Sequence, residues 1–311
     1  MRRAARAEPP RSEDLARAAR LLLVRSRREA SGLFAGNYAS AFRGSGLEFE
    51  ESRPYAPGDD IASFDWNATA RSGLPYVKRF RAERNQTLWL ALDVSASMRF
   101  GTRGASKLAT AVHAVALLAA AAVRAGDRLG LVGFDDAVRA RVPPGRGIVH
   151  AQRVVHAAQA ALAAPGGATR LETALHALRA AAPRRGVAFL LSDFLDPELA
   201  RPEVRAGLAW LACRCDVVAA WIEDPREAEL VAAGGVLATD PERPGPVWLL
   251  RTSARARRRY REAAAARRAA SAEALRLGGA EQLRLEAGRS PLPALARFLQ
   301  GRAARRLRAR A

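Results

Sequence analysis

Three oxygen-bearing side chains at alternate positions, Asp93, Ser95 and Ser97, directly follow a short apolar run. Alternate residues of an extended segment point the same way, so these side chains can converge on one small, hard cation. Carboxylate and hydroxyl oxygens suit Mg²⁺ or Mn²⁺ better than Zn²⁺. The Asp-x-Ser-x-Ser pattern therefore indicates a candidate metal-binding edge. The structural alternative is an ordinary strand-to-helix turn with capping hydroxyls.

Two further oxygen donors are expected at the same edge. Thr169 lies in a glycine-rich stretch just before a predicted helix, and Asp193 follows the apolar run 187–191. In open parallel sheets, ligands bind at the carboxyl ends of the strands, near the point where strand order reverses. The five residues together predict an all-oxygen shell with an open position, which a carboxylate of another protein can fill.

The elements that would position these residues alternate between strand and helix from residue 87 onward. This order is typical of the α/β class, with a doubly wound, mostly parallel sheet flanked by helices. We predict three segments: residues 1–85 form a small N-terminal α+β segment with a helix and short strands, residues 86–251 form the sheet domain, and residues 252–311 form Arg- and Ala-rich C-terminal helices.

Local patterns predict several elements outside the sheet. A helix begins at Ser12 and ends before Ser31, after a disordered lead over residues 1–11. Closely spaced glycines and aromatic residues over 36–49 favour turns and short strands rather than helix. The last helix lies around residues 292–300, with fraying expected beyond Gly301.

The chain is strongly basic, with 51 lysines and arginines against 31 acids, a net charge of +20 and a pI near 11.5. Such a balance is typical of proteins with anionic partners. The excess is concentrated at the ends, however, with net charges of +5 over residues 1–30 and +13 over residues 251–311. Only Lys78 and Lys107 are lysines and alanine is abundant, as a GC-rich coding bias would produce. Aromatic residues are nearly absent from the basic C-terminal region, which argues against stacking on nucleic acid.

The cysteine spacing and the hydropathy pattern indicate the cellular compartment. Cys213 and Cys215 are too close in sequence for an unstrained disulfide, and with four scattered histidines they do not form a zinc pattern. Reduced thiols are typical of the cytoplasm. The apolar stretch 112–123 is shorter than the roughly 20 residues that a membrane span requires. We therefore expect a cytoplasmic protein without a membrane span.

Other polar and aromatic residues have structural interpretations. Asp59, Asp60 and Asp65 could form a second acidic cluster, but Pro-Gly-Asp-Asp is also a common turn composition, which favours a structural role. The remaining structural expectations are packing roles for Tyr55 and Trp66, a solvated turn at Asp135–Asp136, and a core role for His113.

The five residues Asp93, Ser95, Ser97, Thr169 and Asp193 resemble the metal-ion-dependent adhesion site of von Willebrand factor A domains. Further motifs extend the resemblance to roughly residues 15–300: Phe42-Arg43-Gly44-Ser45-Gly46-Leu47-Glu48-Phe49, Tyr55-x-Pro57-Gly58-Asp59-Asp60 and Asp65-Trp66-x-x-Thr69-Ala70-Arg71. They resemble the bacterial family called domain of unknown function fifty-eight, whose von Willebrand A-like members are typically encoded beside MoxR-type AAA+ ATPases. One departure is Ile61-Ala62-Ser63-Phe64, where family members usually carry an arginine.

The resemblance implies a non-enzymatic protein-interaction module that binds Mg²⁺ or Mn²⁺ and works with a MoxR-type AAA+ ATPase in remodelling or maturing proteins or complexes. The sequence has no Gly-x-x-x-x-Gly-Lys-Ser/Thr loop, so ATP binding is not expected of this chain. One alternative is a metal-dependent phosphoesterase at the same edge, although no histidine or lysine base lies nearby in sequence. Another is nucleic-acid binding through the basic C-terminal region, which predicts a steep salt dependence.

Overall fold

The computed structural model describes residues 12–29, 33–42, 47–56, 64–82, 86–181, 186–243 and 245–308. The sequence predictions for residues 1–11 and for Asp59 and Asp60 lie outside this range. So do residues 43–46 and 61–63 of the family-like motifs.

The described part of the chain alternates between helices and strands. The helices are α1 (Ser12–Glu29), α2 (Leu33–Phe42), α3 (Trp66–Ser72), α4 (Lys107–Ala125), α5 (Gly147–Ala163), α6 (Leu171–Ala181), α7 (Pro202–Ala212), α8 (Pro225–Ala228), α9 (Ala254–Leu277) and α10 (Leu292–Arg308). The strands are β1 (Leu47–Pro54), β2 (Tyr76–Ala82), β3 (Thr87–Asp93), β4 (Arg128–Phe134), β5 (Val138–Gly145), β6 (Val187–Ser192), β7 (Asp216–Glu223), β8 (Gly235–Ala238), β9 (Trp248–Arg251) and β10 (Glu281–Glu286).

Six strands form the central sheet, in the order β10-β7-β6-β3-β4-β5. All neighbouring pairs are parallel except β4 and β5, which are antiparallel. The chain builds outward from β3 to β4 and β5, then returns to the other side of β3 with β6. The predicted α/β class with a mostly parallel sheet is confirmed, and the strand order reverses beside β3.

Strand β3 is buried along its whole length because helices cover both faces of the sheet. Leu88, Leu90 and Leu92 face the layer of α1, α2, α4, α5 and α10, whereas Trp89 and Ala91 face the layer of α6, α7 and α9. A strand that is covered on both faces has an almost unbroken apolar sequence, which explains the pattern before Asp93.

Helix α4 is the most deeply buried helix of the first layer. The Ser106 side chain caps its N-terminus by accepting from the Ala109 N–H, and Gly126 ends it in a left-handed conformation. Among the described helices, it is the one whose length and composition would allow it to cross a membrane. The apolar stretch 112–123, which is too short for a span by itself, is only part of this helix. Buried residues make up 72% of its apolar window, so packing within the fold accounts for its composition.

The prediction for residues 36–42 was wrong, because these residues belong to helix α2. Phe34, Tyr38, Ala41 and Phe42 line its buried face, and the Phe42 ring meets Phe189 of the sheet at a centroid distance of 5.8 Å. Burial of this aromatic face outweighs the low helix propensity of Gly36.

Residues 252–311 were predicted to form helices and no strand, but β10 lies among them and extends the sheet beside β7. Leu283 and Leu285 alternate inward from this strand. The expected fraying beyond Gly301 was also wrong, since α10 continues to Arg308. The predicted segment boundaries near residues 86 and 251 remain predictions. Helix α2, from the first predicted segment, and helix α10, from the third, both pack on the core of the sheet domain.

Several smaller predictions can be compared with the described residues. Asp65 has its structural role, because it caps α3 by accepting from the Asn67 and Ala68 N–H groups. Tyr55 and Trp66 both contact the Phe64 ring, with centroids 5.5 and 5.3 Å apart, but Trp66 remains 70% exposed. Neither cysteine takes part in a disulfide.

Candidate functional site

The carboxyl ends of β3 and β6 lie side by side and carry the candidate site. Asp93 is the last residue of β3, and Asp193 directly follows Ser192 at the end of β6. Thr169 immediately precedes Arg170 and the start of α6. Parallel pairing of β3 with β6 brings these ends together, as expected at a reversal of strand order.

The five predicted residues converge around the Ser97 hydroxyl. Its Oγ lies 2.8 Å from Asp193 Oδ2, 3.1 Å from Ser95 Oγ and 3.4 Å from Thr169 Oγ1. Asp93 is held beside this group, since it accepts from the Ser95 N–H at 2.9 Å and from the Ser192 hydroxyl at 2.5 Å. The structure therefore brings together all the side chains that the sequence singled out.

The hydroxyls and carboxylates of this cluster are nearly inaccessible. Exposure ranges from 0% for Asp93 and Ser95 to 8% for Ser97. The cluster is therefore buried at the carboxyl-terminal edge of the sheet and is not exposed on the surface.

Two glycines allow Thr169 to reach Ser97. A Cβ at Gly166 would lie 2.5 Å from the Ala96 backbone N, and the Gly167 carbonyl accepts from that same N–H at 2.9 Å. Only a residue without a side chain permits such a close approach of two backbones. The glycine-rich composition before α6 is therefore a requirement of the site geometry.

The opposite side of this loop is held by Asp135, which was predicted to lie in a solvated turn. The prediction was wrong for Asp135, which is fully buried, whereas Asp136 is exposed as expected. The Asp135 carboxylate accepts from the Gly167 N–H at 2.9 Å and from the Arg139 guanidinium at 2.6 Å. Although burial favours the protonated form, these hydrogen bonds and that of the Ala137 N–H lower the pKa of Asp135.

Asp93 faces an unfavourable electrostatic environment. Burial, and then the negative charge of Asp193, raise its pKa to about 7, although hydrogen bonds from Ser192 and Ser95 act in the opposite direction. A cation between two such carboxylates favours the ionised form of both.

A lysine that sequence analysis overlooked lies directly beside the cluster. Lys107 is fully buried, and its Nζ donates to Asp193 Oδ2 at 2.6 Å and to Glu227 Oε1. Burial alone would lower the pKa of Lys107, but the charges of Asp193 and Glu227 outweigh it and raise the pKa. Lys107 is therefore protonated and is paired with two carboxylates. One signal could have found it, since it is one of only two lysines in an arginine-rich chain.

A second overlooked residue, Glu242, reaches the cluster from the loop between β8 and β9. Its Oε1 accepts from the Thr169 hydroxyl at 2.5 Å, and its Oε2 accepts from the Thr169 N–H at 3.1 Å. Nothing in the local sequence distinguishes Glu242 from other glutamates in loops.

The arrangement has the chemistry of a site for a hard cation. Octahedral Mg²⁺ with ligands at about 2.1 Å needs neighbouring ligand oxygens about 3 Å apart, which the spacings around Ser97 approach. The described residues contain no group of three or more His, Cys, Asp or Glu side chains placed to hold a metal ion. A cation at this edge would therefore have two carboxylates, with hydroxyl oxygens as its other side-chain ligands.

Curated proteins similar to this chain are themselves described as uncharacterized. Uncharacterized protein Rv1480 of Mycobacterium tuberculosis and Uncharacterized protein Mb1516 of Mycobacterium bovis are each 36% identical over 289 residues, which cover 93% of this chain and 90% of theirs. Uncharacterized protein MAV169 of Mycobacterium avium is 38% identical over 133 residues, covering 42% of this chain and 75% of its own.

Solved structures show a distant similarity. The conserved hypothetical protein BatB from Bacteroides thetaiotaomicron and an aerotolerance-related membrane protein from Bacteroides fragilis each match with a TM-score of 0.47 and 16% identity, covering 70% of this chain and 99% of theirs. An uncharacterized membrane spanning protein from Vibrio fischeri matches with a TM-score of 0.26 and 17% identity. At these values the similarity carries no argument about function.

A family model gives the clearest assignment. It matches residues 51–270, a range that includes the strand ends and loops carrying all five predicted site residues. Together with the mycobacterial relatives, this match shows that the chain belongs to the family described as protein of unknown function DUF58.

Proposed function

We propose that this chain is a non-enzymatic protein-interaction module of the von Willebrand A type, whose sheet edge binds Mg²⁺ or Mn²⁺ and presents it to a carboxylate of a partner. The observation that carries the proposal is the spacing of 2.8–3.4 Å between Ser97 Oγ and three other side-chain oxygens. In this arrangement Asp93, Ser95, Ser97, Thr169 and Asp193 would hold the ion. The ion would supply an electrophilic position that neutral hydroxyl ligands leave unsaturated.

Lys107 supports a binding role over a catalytic one. A general base needs a free lone pair, whereas Lys107 is protonated and donates to both Asp193 and Glu227. Its charge also offsets part of the negative charge of Asp193. The carboxylates of the edge would then attract a divalent cation but leave part of its positive charge uncompensated. That remaining charge suits reversible docking of an acidic side chain.

Metal binding is tested by titrating the purified chain with MgCl₂ and MnCl₂ in a calorimeter. We expect binding by the wild type and no binding by Asp93→Asn, which keeps the shape of the side chain but removes its charge. Glu172→Gln is the matched control, because Glu172 lies three residues after Thr169 and is exposed. Binding that survives Asp93→Asn would overturn the proposed site.

The partner we propose is a MoxR-type AAA+ ATPase, which would supply the energy for remodelling a client protein in the cytoplasm. Such ATPases use Mg²⁺ with their nucleotide, so a chelator would disturb both proteins at once. Capture of the purified ATPase by wild type, Asp93→Asn and Glu172→Gln at constant Mg²⁺ avoids this problem. We expect loss of capture with Asp93→Asn alone, whereas equal capture by all three chains would exclude docking through this edge.

Phosphoesterase activity remains the alternative for the same edge, although the protonated Lys107 provides no general base for it. Turnover of p-nitrophenyl phosphate that disappears in Asp93→Asn would favour it over docking. The basic C-terminal region gives less support to nucleic-acid binding, because several of its arginines pair with acidic side chains, among them Arg261, Arg276 and Arg302.

A further inference from the structure

The carboxylate of Glu242 is seated on the candidate metal-binding edge. It takes both donors of Thr169, the hydroxyl at 2.5 Å and the backbone N–H at 3.1 Å. Thr169 is only 4% exposed, while Glu242 is half-buried. A second carboxylate therefore cannot use the same two donors while Glu242 is in place.

The loop is built to present this side chain. Asp240 Oδ1 accepts from the Glu242 N–H at 2.9 Å and from the Arg243 N–H at 3.3 Å, which fixes the backbone on both sides of the glutamate. This Asx turn orders the backbone that carries Glu242. The Glu242 side chain reaches Thr169 from there.

The β8–β9 hairpin that carries the loop is not part of the central sheet. Its two strands pair with each other alone among the described strands. Large apolar side chains on it are exposed, and these are Leu237, Val247, Trp248 and Leu249. At its base, Thr252 Oγ1 accepts from the Ala233 N–H at 3.1 Å. The hairpin is therefore an outer arm that reaches the edge through Glu242.

The seat of Glu242 is acidic, which weakens its attachment when no cation is bound. Burial raises the pKa of the neighbouring Asp196, and the charges of Glu198 and Glu242 add to this effect. Asp193 lies beyond Thr169, within 2.8 Å of the Ser97 hydroxyl. A carboxylate held among like charges is stabilised when a cation binds beside it.

We infer that Glu242 is an internal ligand of this edge, and that the surface accepts an acidic segment of a partner whose glutamate or aspartate replaces Glu242 at Thr169. This inference rests on the proposed function and adds one thing to it, a competitor for the partner's carboxylate within the chain itself. Displacement would release the β8–β9 arm and leave its exposed apolar residues beside the docked segment.

Hydrogen–deuterium exchange tests the internal contact without any partner. In Glu242→Ala we expect faster exchange of the Thr169 amide and of the hairpin amides over residues 235–251, because the Thr169 N–H loses its acceptor. Glu273→Ala is the matched control, since Glu273 is exposed on α9 and pairs with Arg276. Exchange in Glu242→Ala equal to that of the control would overturn the inference.

Competition is measured by fluorescence anisotropy with a labelled peptide that contains one glutamate, in Mg²⁺. If Glu242 occupies the edge for about nine-tenths of the time, its removal raises the peptide affinity about tenfold. We expect this gain in Glu242→Ala, none in Glu273→Ala, and loss of binding in the double variant Glu242→Ala with Asp93→Asn.

The two proposals fail in different ways. Equal, Mg²⁺-dependent affinity in wild type and Glu242→Ala overturns the internal ligand and leaves the docking function standing. Absence of both Mg²⁺ binding and peptide binding in wild type and Glu242→Ala overturns the docking function, and the inference with it.

Discussion

Lys107 Nζ lies 2.6 Å from Asp193 Oδ2, and both side chains are essentially inaccessible, with exposures of 0% and 1%. This buried ion pair joins the start of α4 to the end of β6. It places a fixed positive charge beside an edge whose other charged groups are carboxylates. The stability of the fold and the charge of the candidate site therefore depend on the same lysine.

Replacing Lys107 with Met is expected to destabilise the chain by about 3–5 kcal/mol, because Asp193 and Glu227 would lose a buried partner. Urea denaturation followed by circular dichroism measures the change. Arg276→Met serves as the control, since its ion pair with Glu273 is exposed and its loss should change the free energy of unfolding little. Equal effects of the two substitutions would contradict the importance of the buried pair.

Gly166→Ala is expected to destabilise the chain by about 1–3 kcal/mol, because the new Cβ would overlap the backbone at Ser95 and Ala96. The same overlap should move Thr169 away from Ser97 and weaken Mg²⁺ binding. Gly36→Ala is the control, since no atom lies within 4 Å of a Cβ there and a helix interior favours alanine. A Gly166→Ala chain as stable as wild type would show that the loop can shift without cost.

Thiol reactivity should separate the two cysteines. Burial raises the pKa of Cys215 to about 11, and the charge of Asp216 adds to this effect, whereas Cys213 is exposed. A raised pKa keeps the thiol protonated until the pH approaches that value, so at pH 8 Cys215 should react slowly. We expect one fast reaction per native chain with Ellman's reagent and two in denaturant. A fast phase that persists in Cys213→Ser would contradict this assignment.

Arg302→Met is expected to destabilise the chain by about 3 kcal/mol, because this nearly buried guanidinium bonds Glu281, Asp216 and the Ala41 carbonyl. Thermal and urea unfolding measure the loss. Arg305→Met is the control from the same helix, since Arg305 is 63% exposed and its pair with Glu281 should contribute under about 1 kcal/mol. Similar unfolding of both variants would show that α10 is not anchored by Arg302.

Arg302 also explains why the end of α10 was mispredicted. Alanine- and arginine-rich sequence beyond Gly301 has no apolar stripe, so local pattern favours fraying. The helix continues because Arg302 lies over the Phe42 ring, with its guanidinium carbon 4.9 Å from the centroid, and pairs with residues of β7 and β10. Contacts between distant segments outweigh local propensity there.

Local sequence also favoured the wrong secondary structure for helix α2 and for strand β10. Gly36 and the aromatics around it suggested turns, yet Tyr38 and Phe42 form a helical face because other helices cover them. In β10 the alternation of Leu283 and Leu285 was visible, but the basic, alanine-rich surroundings favoured helix. A short segment takes the conformation that buries its apolar face, and the rest of the chain supplies the cover.

The residue types of the candidate site and their positions at the ends of predicted strands were determined by the sequence alone. An apolar run ending in Asp93, a glycine-rich loop before Thr169 and a second run ending before Asp193 are local patterns, and parallel strands bring their ends to one edge. Only the tertiary structure decided the charge partners of that edge, which are Lys107, Glu227 and Glu242. No periodicity marks these residues, because electrostatic neighbours arise where distant parts of the chain cross in a buried, weakly screened environment.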